Sequence, residues 1–163
     1  MKNSTHNPLR MIAILVFVAA GAASTLHAAE SRAYLHGYNL PSSGVALEGY
    51  CPVAYHAVNK AIRGQAQYAS THNGVTYWFV SADARKAFDA APQKYIPAFG
   101  GWCAFGMSVE DKFPVDPTNF KIVNGRLMVF LKNKDVDARA LWNDGRQKEL
   151  TTKADAHWKK VSP

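Results

Sequence analysis

Gln67-Tyr68-Ala69-Ser70-Thr71-His72-Asn73-Gly74-Val75-Thr76-Tyr77-Trp78-Phe79-Val80 is the stretch from which the fold is read. Asn-Gly supplies the two positive-φ positions of a tight hairpin turn, and the residues after it are aromatic or β-branched. Two antiparallel strands are therefore predicted on either side of residues 73 and 74. Val75, Tyr77 and Phe79 share one face, and Thr76, Trp78 and Val80 share the other. Both faces are apolar, so the second strand is predicted to be central in its sheet.

The theme returns downstream. Phe120-Lys121-Ile122-Val123, Asn124-Gly125 and Arg126-Leu127-Met128-Val129-Phe130-Leu131 read as a second hairpin. Outside the turns the two hairpins differ in side chains, and no sequence repeat is read from them.

Helices are predicted beside the hairpins. Ser81 is an N-cap for residues 82–91, with Ala84, Ala87, Phe88 and Ala91 at helical spacing, and Pro92 ends the run. Asp135 is the expected cap for 136–143, with Ala138, Leu141 and Trp142 facing inward. A last helix over 153–161 puts Ala154, His157, Trp158 and Val161 on one face. Residues 45–55 read as a short strand broken at Pro52, because proline removes a ladder donor. Residues 60–64 read as a surface connection and 114–117 as a loop. The order predicts an α+β protein, a small single domain with antiparallel β-hairpins packed against short helices.

The amino end has a different character. Lys2 and Arg10 precede an apolar run from Met11 to Ala23, and small residues extend from there as far as Ala28 and Ala29. That is the pattern of a secretory signal peptide, expected to span residues 1–28. The run is too short for the roughly 20 apolar residues of a membrane-spanning helix, so no stable membrane anchor is expected. An extended lead-in (29–44) and one domain (45–161) complete the expected organisation, with an exported product in periplasm or extracellular space. Without Lys2 and Arg10 the formal charge falls from +7 to about +5. The cations are interspersed with acids, as at Lys112 near Glu110 and Asp111, so a nucleic-acid groove is not expected.

Two cysteines remain to be placed. Cys51 lies in Gly49-Tyr50-Cys51-Pro52-Val53-Ala54-Tyr55-His56, and Cys103 in Gly100-Gly101-Trp102-Cys103-Ala104-Phe105-Gly106-Met107. In an oxidising compartment such a pair is weighed as a disulfide. No Gly-x-Ser-x-Gly, HExxH, phosphate-cradling loop or paired carboxylate motif is visible, and no catalytic residue is assigned.

The ordered set formed by residues 49–55, Asn73 to Phe79, Phe88 through Pro92 to Tyr95, and Gly100 to Ala104 resembles the exported branch of the YHS domain family. The run Lys153-Ala154-Asp155-Ala156-His157-Trp158 is similar to that branch's ending. The resemblance spans nearly all of the chain after the leader. It implies a small α+β domain related to metal-binding modules of copper-handling proteins and some oxygenase subunits, and no particular reaction. That branch commonly has Gly-Tyr-Asp-Pro-Val, so Cys51 stands where an aspartate is usual. The cysteine pairs of the family's better-known metal-binding members are missing here, which counts against a closed four-thiolate zinc site.

Cys51, His56, Cys103 and Met107 form the candidate metal site. Thiolate, imidazole and thioether are soft or borderline donors that suit monovalent copper better than zinc. The function expected is soft-metal handling or sensing, with a metal ion and another exported protein as partners. The alternative is a disulfide-stapled module, closed by Cys51 and Cys103, that presents Tyr50, Tyr55, Trp78 and Trp102 to a protein or small ligand.

Overall fold

Both Asn-Gly hairpins form. β1 (Gln65–His72) pairs antiparallel with β2 (Val75–Phe79), and β3 (Asp116–Val123) pairs antiparallel with β4 (Arg126–Phe130). At the turns Asn73 and Gly74 take φ of 48° and 76°, and Asn124 and Gly125 take 50° and 75°. These left-handed values match the right-handed twist of the flanking strands. The computed structural model describes residues 37–163. The expected leader, and the lead-in up to residue 36, lie outside the described residues.

Among the described residues six α-helices accompany the hairpins: α1 (Pro52–Val58), α2 (Ala82–Ala90), α3 (Pro92–Tyr95), α4 (Ala104–Ser108), α5 (Ala138–Trp142) and α6 (Gln147–Val161). Two 3-10 turns, Ala46–Gly49 and Ala98–Gly101, precede α1 and α4. The result is the expected small α+β domain of hairpins packed against short helices. Among the described residues no helix is long and apolar enough to cross a membrane.

Several local expectations need correction. Residues 45–55 are not a strand, because Pro52 occupies the first position of α1 with Cys51 as its N-cap. Proline is at ease there, since the N–H it lacks would be an orphan in any case. β2 is not central either: each sheet has two strands, and Thr76 and Trp78 remain half-buried. Asp116 and Pro117 belong to β3, ahead of an irregularity between Asp116 and Phe120. The cap of α5 is Asp137, which accepts from the N–H of Arg139 (3.0 Å) and Ala140 (3.3 Å). Asp135 sits in a turn made by Asn133, and Leu141 is 44% exposed while Trp142 is wholly buried. α6 starts at Gln147, six residues before the expected start, and buries Leu150 as well as Ala154.

A feature beyond those expectations is a recurrence of backbone geometry. Ala46-Leu47-Glu48-Gly49-Tyr50-Cys51 and Ala98-Phe99-Gly100-Gly101-Trp102-Cys103 share one backbone. Leu47 and Phe99 have φ of 54° and 57°, Glu48 and Gly100 have 51° and 59°, and Gly49 and Gly101 have 84° and 82°. In both turns the amide of the aromatic residue closes back on the first left-handed residue, Tyr50 to Leu47 at 2.9 Å and Trp102 to Phe99 at 3.1 Å. Each turn leads into a short helix capped by cysteine, then a hairpin, then a helix. Even the strand irregularity recurs, between Gln65 and Ala69 in one hairpin and between Asp116 and Phe120 in the other. The domain therefore repeats one order of elements, turn, short helix, hairpin and helix, with α3 added in the first half and α6 after the second.

Each unit has its own core. Phe88 of α2 packs on Phe79 of β2 at 4.9 Å between ring centroids, and Trp142 of α5 packs on Phe130 of β4 at 5.6 Å. Around these pairs gather Ala46, Cys51, Val75 and Tyr77 in the first unit, and Phe99, Cys103, Met107 and Met128 in the second. A third cluster joins the units: Leu47 and Tyr55 of the first rest on Leu127 and Val129 of β4. The Tyr55 hydroxyl donates to the Pro117 carbonyl at 2.9 Å, and its ring meets Phe120 edge-on at 4.6 Å. Side chains buried this completely contribute roughly 1.5–3 kcal/mol each.

The two hairpins are therefore not equally covered. Phe120, Ile122, Leu127 and Val129 form the face under the seam. The matching face of the first hairpin is Ala69, Thr71, Thr76 and Trp78, half-buried or exposed. At the other end α6 packs Leu150 and Ala154 onto the second unit's core.

Candidate functional site

The four candidate ligands divide between the units. Cys51 is fully buried in the first core, where its N–H donates to the Ile62 carbonyl at 2.8 Å and its side chain makes no capping bond. His56 lies in the last turn of α1, half-buried, with its ring edge-on to Tyr95 at 5.4 Å between centroids. Its Nε2 is shielded and has no partner among the described residues. Burial first, and then the nearby Lys94, hold the imidazole pKa below its ordinary value.

Cys103 and Met107 share the second core and are both wholly buried. Cys103 caps α4, and Met107 is one turn further on, its N–H bonded to the Cys103 carbonyl at 2.9 Å. The Cys103 Sγ accepts from the N–H of Leu131 at 3.3 Å and of Gly106 at 3.5 Å. It thereby ties the end of β4 to the start of α4. Burial pushes the thiol pKa up, and the N–H groups of Leu131, Gly106 and Phe105 act in the opposite direction.

Both cysteines are free thiols. They occupy equivalent places in two units and belong to different core clusters. The same division parts Cys51 from the Cys103 and Met107 pair. Among the described residues no group of three or more His, Cys, Asp or Glu side chains is arranged to hold a metal ion. A closed four-donor site of the zinc type therefore does not fit. Cys103 and Met107 are the two sulfur-bearing candidates that share one core cluster.

Comparison of the chain with known protein families, with curated proteins and with solved structures finds no match. The residues of the fold itself therefore carry the functional argument.

The aromatic residues named for the alternative reading do not make one open surface. Tyr55 is wholly buried in the seam, and burial raises its phenol pKa far above the ordinary value. Tyr50 lies under the Arg63 guanidinium at 4.6 Å, and the indole of Trp102 donates to the Gly37 carbonyl at 2.8 Å. Reasoning from the sequence missed Glu48. It lies in the left-handed part of the first turn and lines a cavity between that turn and the 114–117 segment. Its signal was the pairing of the two turns, in which a glutamate stands where the other copy has glycine.

Proposed function

We propose that the chain is an exported, non-enzymatic metal-handling protein in which Cys103 and Met107 hold one soft monovalent ion, copper foremost. The observation that carries this reading is a thiol and a thioether, both fully shielded from water, one helical turn apart in one core cluster. Thiolate and thioether donors select monovalent copper over hard cations, whereas a structural zinc site asks for four donors. The N–H groups of Gly106 and Leu131 face the sulfur and support its thiolate form. Burial opposes that form, so the ion must displace a proton and binding strengthens as pH rises. Cys51 and His56 lie outside this two-donor site. The leader pattern in residues 1–28 and the resemblance to exported YHS domains support export and exchange of the ion with another exported protein.

Anaerobic titration of the full-length chain with monovalent copper, in competition with bicinchoninate, tests the reading. One equivalent should bind. Cys103→Ser and Met107→Leu should each weaken binding at least about tenfold, the weight of one lost soft donor, and Cys51→Ser should leave it unchanged. Absence of stoichiometric binding, or full binding by Cys103→Ser, would remove the site.

A further inference from the structure

We propose that the cavity beside Leu47 and Glu48 is a binding site for a small organic ammonium ion, with the Glu48 carboxylate as its counter-charge. The comparison that motivates this lies within the chain. The same turn is built twice, and its second left-handed position is Gly100 in one copy and Glu48 in the other. Glycine adopts φ near +55° freely, and a residue with a Cβ does so at a cost. The first copy therefore carries a carboxylate where the backbone disfavours any side chain.

That carboxylate has no ion-pair partner among the described residues. The neighbouring cation, Arg63, donates at 2.9 Å to the Glu48 main-chain carbonyl instead. Glu48 lines a cavity of about 220 Å³ together with Asn39 and the apolar Leu40, Leu47, Val115 and Pro117. A dry cavity of about 150 Å³ accepts benzene, so this one has room for a ring-sized apolar body with a charged head at the exposed glutamate. It is too small for a nucleotide or a folded peptide.

The second unit supplies an internal control. Beside Phe99 and Gly100 lies a cavity of about 230 Å³ lined by Tyr38, Trp158, Lys94 and Arg126. Arg126 is held there by a two-bond pair with Asp155, at 2.7 and 3.0 Å. No carboxylate lines the second cavity, so the charge of the ligand should discriminate between two sites of similar size.

The test is amide NMR of the full-length chain titrated with 2-phenylethylammonium, with the neutral 2-phenylethanol as control. The ammonium should shift the amides of Asn39, Leu47, Glu48 and Val115 saturably. It should bind at least about fivefold tighter than the alcohol, the weight of one exposed ion pair. Glu48→Gln should bring the two probes within about a factor of two of each other. Glu48→Gly, which suits the backbone and keeps the fold, should do the same. Equal binding of both probes to the native chain, retained preference in either variant, or shifts centred on Lys94, Arg126 and Trp158 would overturn the proposal. No lining residue is a sulfur donor, so failure here and failure of copper binding are separate results.

Discussion

Cys51 and Cys103 occupy the same position in two copies of one backbone motif, each capping the short helix that comes after a left-handed turn. Their surroundings have diverged. The Cys103 sulfur accepts two main-chain N–H groups, and the Cys51 side chain makes no capping bond.

Cys103→Ala should therefore destabilise the chain more than Cys51→Ala. The first leaves the Leu131 and Gly106 N–H groups without their acceptor as well as opening a cavity, and about 2–3 kcal/mol is expected; the second should cost about 1 kcal/mol. Urea unfolding of the two variants measures the difference.

Cys51→Asp should keep the fold. Aspartate is among the preferred N-caps and proline among the preferred first residues of a helix, so this exchange offers the start of α1 an acceptor worth about 1 kcal/mol, against about 1–3 kcal/mol for burying a carboxyl group at a wholly shielded position. Far-ultraviolet circular dichroism and urea unfolding should show native structure, with stability within about 1–2 kcal/mol of the parent. Under the proposed function its affinity for monovalent copper is unchanged, and a tenfold loss would bring Cys51 back into the site.

Glu48→Gly and Gly100→Ala should have opposite signs. The first relieves a left-handed non-glycine residue and should raise stability by up to about 1 kcal/mol, net of the added chain entropy. In the second, a Cβ at residue 100 would stand 2.7 Å from the Trp158 ring and 3.0 Å from Tyr38, at φ +59°. Overpacking and strain together should cost about 2–3 kcal/mol, read as a lower unfolding midpoint.

Tyr55→Phe should cost about 1–2 kcal/mol, because the buried Pro117 carbonyl loses its donor. It should also change the alkaline limb of the stability curve. The folded phenol pKa lies above the unfolded value near 10, so stability is fully present below that value and falls as pH rises past it. Unfolding midpoints measured between neutral pH and about pH 11 should fall less steeply in Tyr55→Phe.

Asp137 has the opposite sign. The Asn119 amide, at 3.0 Å, holds its pKa below the ordinary carboxylate range, helped by the N–H groups of Ala140 and Arg139 and by Lys132. Stability from this cap is present above the unfolded pKa and is lost as pH falls through the folded one. Asp137→Ala should cost about 1 kcal/mol at neutral pH and less in acid, checked by urea unfolding on both sides of about pH 4.

Turn chemistry is local, and for that reason both hairpins could be read from Asn-Gly and the residues around it. The beginning of α1 was not legible in the same way. Proline suits both the end of a strand and the first turn of a helix, and packing of the later residues decides between them. The recurrence of the turn was hidden by side chains. Within it Ala46, Gly49 and Cys51 match Ala98, Gly101 and Cys103, while Leu47-Glu48 stands opposite Phe99-Gly100. The candidate ligands are divided between two cores that recur in the same order of elements, and no spacing along the chain reports it. Cys103 and Met107 were legible as a pair because one helical turn separates them.

The uncovered face of the first hairpin differs from its counterpart in the second. On that face Thr71 and Thr76 stand where the second hairpin has Ile122 and Leu127. The apolar face of the second hairpin meets Leu47 and Tyr55, carried by the first unit. The earlier half of the molecule thus already holds the apolar side chains against which the later hairpin is buried.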